Sequence, residues 1–404
     1  MSQVAYPIVL FTIALTAASA AGAGPGWTID IPSPHDGPVF LHLPATLNLN
    51  RHQPGDRVLL RDNNGATITG QLERVRPDQP DLQVLARLPA DVGNTLEVTA
   101  VEPPSPTPPY STTHSSDGLI TLFAEAKPIA VYHLDLRPIP TNEKYNQCNF
   151  FHPLCTPSLA VVTDDAPSDH LHHRGLFLAF TKVTAPDREG NPVTANFWQP
   201  DPRARIAPGR LHDARNGDVA ATFAATHDFL IDDRPVLTQT VIAAATQLSD
   251  KVNLLDLTIL ITPVTDGVTL GDNFYSALQL RGARDFQRPQ LMFTYADAKE
   301  HRDVDDHKED PPADRWFDMT GLIGDRLAGA AIAPHPDTPA SRLCYARGVK
   351  GINADFVYDQ PMPLTKGQPL VCKYQIYMHD DHVAAARIAD LAAMYNPGVK
   401  IAQK

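Results

Sequence analysis

No run of basic residues occurs in the 404-residue chain, and 34 Lys and Arg against 46 Asp and Glu leave a net charge of -12. Gripping the polyanionic backbone of nucleic acid needs a basic patch, so nucleic acid is excluded as a partner. A Gly-x-Ser-x-Gly elbow, a Walker loop, a Gly-x-Gly-x-x-Gly turn after a strand and a His-Glu-x-x-His helix are all missing from the chain beyond its leader. Their absence removes the common hydrolase, nucleotide and zinc-protease readings. No strand–helix alternation is visible either, which argues against a Rossmann or TIM architecture. Glycine, at 23 residues, is outnumbered by 38 prolines. Proline blocks helix interiors and central strands, so short elements joined by stiff turns are expected instead of long helices.

Beyond residue 23 no stretch is long and apolar enough to span a bilayer, and no membrane insertion is expected there. Residues 1–23 read as a signal peptide: an apolar run from Tyr6 to Leu15 precedes Ala20, Ala21 and Ala23, small residues suited to cleavage. No Lys or Arg precedes the run, and its length falls short of the roughly 20 apolar residues of an uncleaved anchor. An extracytoplasmic location, periplasmic or secreted, is the expectation. Only four cysteines are present, Cys148, Cys155, Cys344 and Cys372. In an oxidising compartment Cys148 with Cys155, and Cys344 with Cys372, are candidate disulfides, free thiols being the alternative.

What is present is strand patterning. An N-terminal β domain is expected over residues 27–118. In it Val58 to Arg61 leads through Asp62-Asn63-Asn64-Gly65 into Ala66 to Thr69, a hairpin signal because Asn-Gly tolerates positive φ. The stretch Pro103-Pro104-Ser105-Pro106-Thr107-Pro108-Pro109 reads as an extended connector and a domain boundary. A larger β-sandwich domain is expected over 125–396. Its strand signals are Val131 to Leu136, Leu176 to Phe180, Leu237 to Ile242 and Val252 to Ile261. Leu255, Leu257, Ile259 and Ile261 repeat at period two, as in a half-buried antiparallel strand. One helix is expected, Val383 to Tyr395, capped by Asp380 and Asp381 and closed by Pro397. The acidic run Asp297 to Asp310 lacks the ligand spacing of a calcium loop and reads as solvated loop.

The one dense group of titratable residues is Asp169-His170-Leu171-His172-His173-Arg174-Gly175, between a turn at Pro167-Ser168 and the apolar run from Leu176. If the chain is already extended there, His170, His172 and Arg174 share one face and His173 points to the other. Imidazoles titrate near neutral pH and can move protons, Arg174 can hold negative charge, and Asp169 can fix a histidine tautomer. A brace of satisfied polar groups is the bland alternative, but three histidines in four residues favour function over it. His170 and His172 could share a divalent metal ion, with His152 or His335 as third ligand. Weaker substrate-binding candidates are Asn149 and His152 in a Pro-bounded loop, Trp198 as an aromatic platform, His335 and Arg347.

Taken together, Asn149-Phe150-Phe151-His152-Pro153-Leu154, the Asp169 to Gly175 string, Asn196-Phe197-Trp198, Arg315 to Gly321, Ala331 to Pro336 and Tyr377 to Asp381 resemble a bacterial family labelled "methane oxygenase PmoA". The resemblance runs from about Lys127 to the C-terminus and leaves the N-terminal segment outside. The genuine methane monooxygenase subunit of that name is an integral membrane protein. The present chain offers no span after its leader, so methane oxidation is rejected. The resemblance implies carbohydrate metabolism, since its members are similar to proteins encoded beside sugar oxidoreductases and polysaccharide-degrading enzymes. Gln147 stands where the family pattern leads one to expect Arg, and Tyr345 where it leads one to expect His.

The expected function is therefore an exported carbohydrate-active enzyme working by hydrolysis, β-elimination or epimerisation of a sugar or glycan. Asp169, His170, His172, His173 and Arg174 are its candidate catalytic residues, with no protein partner. A non-catalytic glycan-binding protein and a purely structural module are the alternatives.

Overall fold

The structure, a computed structural model, describes residues 26–30, 38–45, 52–140, 142–273, 276–287, 290–295, 300–301, 306–307, 316–339, 341–395 and 400–403. Residues 1–23, read from the sequence as a signal peptide, and most of the acidic run Asp297 to Asp310 lie outside them. Within that run Glu300–His301 and Asp306–His307 are short strands at sheet edges, where a loop was expected.

The protein is mainly β, with antiparallel sheets and, among the described residues, one α-helix. Seven strands form an N-terminal sheet, in the order Val39–Ala45, Leu82–Leu88, Thr67–Arg74, Arg57–Asp62, Thr95–Glu102, Gly26–Asp30, Lys400–Gln403. The expected hairpin is its centre: Gly65 sits at φ 90° and its N–H donates to the Asp62 carbonyl at 3.1 Å. The Asp62 carboxylate closes the turn by accepting from the Asn64 and Ala66 N–H groups at 3.0 and 2.7 Å. The last strand of this sheet comes from the far end of the chain, a pairing no local pattern announces.

Past the proline-rich connector the chain builds two larger antiparallel sheets that face each other. Tyr110–His114 is already the outer strand of the first of these, so the sheets divide at the connector and not at Gly118. The central strands of that first sheet run Lys127–His133, Phe150–Leu154, Leu176–Ala179, Ala277–Arg281, Gly351–Asp355, Arg342–Ala346. The opposing sheet is built round the long strands Ala221–Ile231, Arg234–Gln247, Val252–Pro263 and Leu370–Asp380. Leu176, Leu178, Leu278 and Leu280 meet Leu255, Leu257, Ile259 and Ile261 in the core between the sheets.

The Val252–Pro263 strand is not half-buried as its alternation suggested. Its second face is covered by the N-terminal sheet, and Asp256 is 3% exposed. There Asp256 meets His42 Nε2 at 2.9 Å and accepts from Gln375 Nε2 at 2.8 Å. Gln71, fully buried, joins the same two layers: its Oε1 accepts from the Val219 and Ala220 N–H groups at 3.0 and 3.1 Å. Both contacts satisfy polar groups that burial would otherwise penalise.

The helix is shorter than expected, Ile388–Tyr395. Residues from Val383 form turns, and Arg387 at φ 60° breaks the helical path before Ile388. Ile388, Leu391 and Ala392 pack with Phe40, Leu85 and Tyr377 beneath the N-terminal sheet. The four cysteines are all buried and none is disulfide-bonded, so neither candidate disulfide forms.

Candidate functional site

The histidine segment is a pair of tight turns, not an extended strand. His170 N–H donates to the Pro167 carbonyl and His173 N–H to the His170 carbonyl, each at 3.0 Å, and Ala166 N–H donates to the His173 carbonyl at 2.8 Å. The expected separation of His173 from its neighbours therefore fails, because a turn brings side chains together that a pleat would alternate. Ring centroids lie 5.6 Å apart for His170 and His172, 4.8 Å for His170 and His173, and 4.7 Å for His172 and His173. Gly175 ends the turns at φ 60°, where a Cβ would lie 2.2 Å from the Phe151 carbonyl oxygen. Glycine is required there on both counts.

The imidazoles stand over the outer face of the first large sheet, the face turned away from the sandwich core. Along Ala277–Arg281 the leucines 278 and 280 enter the core, and Gln279 and Arg281 face the site. With Phe177, Asn353 and Trp198 they line a cavity of about 340 Å³ together with all three histidines. Trp198 is edge-on to His172 at 4.8 Å and stacked on His173 at 5.5 Å. Its backbone is fixed on both sides: Trp198 N–H donates to Asn196 Oδ1 at 2.8 Å, and Gln147 Nε2 donates to the Trp198 carbonyl at 3.1 Å. Gln147, flagged as a departure from the family pattern, thus positions the indole from behind. Tyr345, the other departure, lines the cavity floor and stacks on Phe293 at 4.4 Å.

Arg281 organises the charge of the site. Its Nη2 donates to both carboxylate oxygens of Asp169 at 2.9 Å, and its Nη1 lies 3.4 Å from His173 Nδ1. Partial burial alone would raise the Asp169 pKa, but the Arg281 bonds hold it down to about 2. Burial lowers His172 to about 4, aided by the neighbouring His170 and Arg281. Burial, with His172, the Arg281 guanidinium and His170 close by, lowers His173 to about 2. Both rings are therefore neutral at neutral pH and can accept or donate hydrogen bonds.

The remaining candidates fall elsewhere. Arg174 is fully buried and faces away from the cavity: its Nε meets Asp165 Oδ1 at 2.8 Å, and its guanidinium lies 4.4 Å over the Phe150 ring. Arg137 pairs with the same Asp165. Asn149 is buried in the sandwich, where its Oδ1 accepts from Tyr132 Oη at 2.8 Å and Gln239 Nε2 at 3.1 Å. His152 Nδ1 lies 3.0 Å from Thr163 Oγ1, and burial lowers its pKa to about 4. His335 lies in a separate groove with His42, Asp256 and Lys373, edge-on to Tyr395 at 4.9 Å. Arg347, a substrate-binding candidate, is 6% exposed, donates to the Leu291 carbonyl at 2.6 Å and does not line the histidine cavity. Neither His152 nor His335 lines the histidine cavity, so neither stands as third metal ligand. Among the described residues no group of three His, Cys, Asp or Glu side chains is arranged to hold a metal ion. The guanidinium against His173 Nδ1 also places a cation where a ligand lone pair would point.

Gln279 and Arg281 are not among the candidates read from the sequence. A signal was there: Leu278-Gln279-Leu280-Arg281 alternates apolar and polar at period two, the mark of a strand with one functional face.

Comparison with solved structures returns distant likenesses. An α-mannosidase from Enterococcus faecalis superposes with a TM-score of 0.39 at 9% identity, over 94% of this chain and 46% of the mannosidase. The present chain thus spans less than half the length of that enzyme. The Slr1438 protein from Synechocystis sp. gives a TM-score of 0.19 at 11% identity, over 67% of this chain and 91% of that one. No curated protein matches the chain. Residues 120–393 match the family of unknown function DUF6807, a span that contains every residue of the histidine cavity, and nothing in the match connects it with the PmoA label. The chain belongs to the DUF6807 family.

Proposed function

We propose that the protein is an extracytoplasmic enzyme that binds a sugar or glycan in the histidine cavity and acts on it by histidine-centred proton transfer. The observation that carries this reading is the convergence of three imidazoles, an indole and a guanidinium on one cavity. A flat indole suits the apolar C–H face of a sugar ring, and Gln279 and Asn353 offer the paired donors and acceptors that hydroxyls need. A neutral imidazole can hold a hydroxyl or move a proton at neutral pH, and the lowered pKa of His172 keeps that ring neutral.

Among the reactions open to such a site, β-elimination and epimerisation fit better than hydrolysis. Glycoside hydrolysis ordinarily uses two carboxylates, and among the described residues lining the cavity there is none. Export rests on the apolar leader at residues 1–23. Among the described residues no helix is long and apolar enough to cross a membrane.

The test is incubation of the purified protein with neutral and uronic-acid oligosaccharides in D2O, with products read by mass spectrometry. Deuterium uptake or a new double bond in one substrate, reduced about 100-fold or more in His172→Ala and His170→Ala variants, is the expected result. Saturable binding without any product would make the protein a glycan-binding module. Neither binding nor product would overturn the reading.

A further inference from the structure

We infer that Asp169 and Arg281 hold His170 and His173 in opposite tautomers, so that His170 offers a bare Nε2 as proton acceptor and His173 an Nε2–H as donor. The inference rests on reading the cavity as a proton-transfer site, and it adds to that reading which ring does what.

A guanidinium carries protons on every nitrogen under all ordinary conditions, so Arg281 Nη1 faces its neighbour only as a donor. Its neighbour at 3.4 Å is His173 Nδ1, which must therefore present a lone pair. A neutral imidazole with a bare Nδ1 carries its proton on Nε2. Protonating Nδ1 as well would set two cations face to face in a ring that is 7% exposed.

At His170 the neighbour has the opposite sign. Its Nδ1 is buried, and among the described residues the polar atom facing it is Asp169 Oδ2 at 3.3 Å. A lone pair there would face a carboxylate oxygen, whereas a proton is attracted to it. The proton therefore sits on Nδ1 and the lone pair on Nε2. Asp169 is held as a carboxylate by both bonds from Arg281 Nη2, so one ion pair sets both rings. The two ring centroids are 4.8 Å apart, and the side chain of His170 is 37% exposed, open to a substrate in the cavity.

This arrangement matches a substrate with an acidic C–H beside a carbonyl, as in a uronate or a keto sugar. His170 Nε2 takes the proton and the C–H electron pair becomes a C=C bond. The carbonyl π pair moves onto oxygen, where the His173 Nε2–H hydrogen bond stabilises it. Collapse of the enolate with protonation of the carbon from the other face by a solvent proton, His170 giving its own proton up to water, inverts the centre; departure of a β-substituent with its electron pair, taking the proton from His170, gives the unsaturated product. Asp169 and Arg281 touch no reacting atom in this scheme and are positioning residues.

The experiment is long-range proton–nitrogen correlation NMR of the 15N-histidine-labelled full chain at neutral pH, without any ligand. The bare ring nitrogen is expected at Nε2 of His170 and at Nδ1 of His173. Asp169→Asn should release the preference of His170, and Arg281→Met that of His173, while the buried His227 signal stays unmoved in both. Equal tautomers at His170 and His173, or variants that leave both signals unchanged, would overturn the inference. Because the readout needs no substrate, the tautomers can stand while a sugar screen fails, which would count against the proposed function alone. Once a substrate is found, full turnover by His170→Ala would overturn the base assignment.

Discussion

Asp169 and Arg281, 112 residues apart in sequence, are joined by two 2.9 Å hydrogen bonds from a single guanidinium nitrogen. The pair ties the histidine turns to a strand of the large sheet and leaves the imidazoles facing one cavity. Arg281 is 4% exposed, so removing its partner strands a buried cation. Asp169→Asn should cost about 1–3 kcal/mol, measured by urea denaturation at pH 7. The Asp169 pKa is depressed to about 2 in the folded protein, from 3.8. Its contribution is thus present above pH 4 and lost as pH falls toward 2, so the gap between wild type and variant should close over that window.

The lowered pKa of His172 gives a pH profile. Folded His172 is neutral above about 4. Ligand binding or turnover that needs its lone pair should be flat from pH 5 to 7.5 and fall below, with a midpoint near 4. A midpoint near 6.5, the ordinary value for a solvated imidazole, would show that the ring is exposed in solution and count against its place beside Trp198.

Arg174 has a structural role. Asp165 is 1% exposed in its side chain, Arg174 is 0%, and Arg137 approaches Asp165 from the surface side. Breaking such a buried pair by removing one partner costs about 3–5 kcal/mol. Asp165→Asn should lose that much in chemical denaturation while the His170 and His173 tautomer signals keep their wild-type positions. A variant of unchanged stability would mean that the pair is solvated.

Gly175→Ala tests the hinge between the turns and the Leu176–Ala179 strand. The new Cβ would meet the Phe151 carbonyl oxygen at 2.2 Å from a backbone already at positive φ. A loss of about 1–3 kcal/mol is expected from the conformation, with the clash adding to it. The site should suffer along with the fold, read as a changed Trp198 emission spectrum.

His42 joins the two parts of the molecule and should lend the interface a pH dependence of opposite sense. Burial pulls its pKa down, but the Asp256 carboxylate and the Gln83 hydrogen bond outweigh burial, and the net direction is upward. A raised histidine stabilises fully below its unfolded value near 6.5 and loses that contribution as pH climbs through the folded value. Wild type should therefore exceed His42→Ala by more at pH 6 than at pH 9 in thermal melts. A gap that is constant, or that widens toward pH 9, would contradict the ion pair.

Much of the fold was legible locally. Asn64-Gly65 announced its hairpin, and Leu255 to Ile261 its strand, because turn chemistry and side-chain alternation act over a few residues. Proline density at 103–109 marked the break between sheets for the same reason. The length of the C-terminal helix was not legible, because the bend at Arg387 answers to packing beneath the N-terminal sheet. Nor was the full burial of Asp256, whose covering residue His42 lies 214 positions away.

The site divides in the same way. The sequence by itself determined that three imidazoles and a carboxylate lie within five residues, and that the glycine after them permits a turn. Tertiary structure alone decided which neighbours count. It sent Arg174 into a buried pair with Asp165, kept His152, His335 and Arg347 out of the cavity, and brought Arg281 to Asp169 across the sheet. The physical reason is range: turn and strand propensities are settled among adjacent residues, whereas burial and charge pairing depend on which distant strand lies alongside.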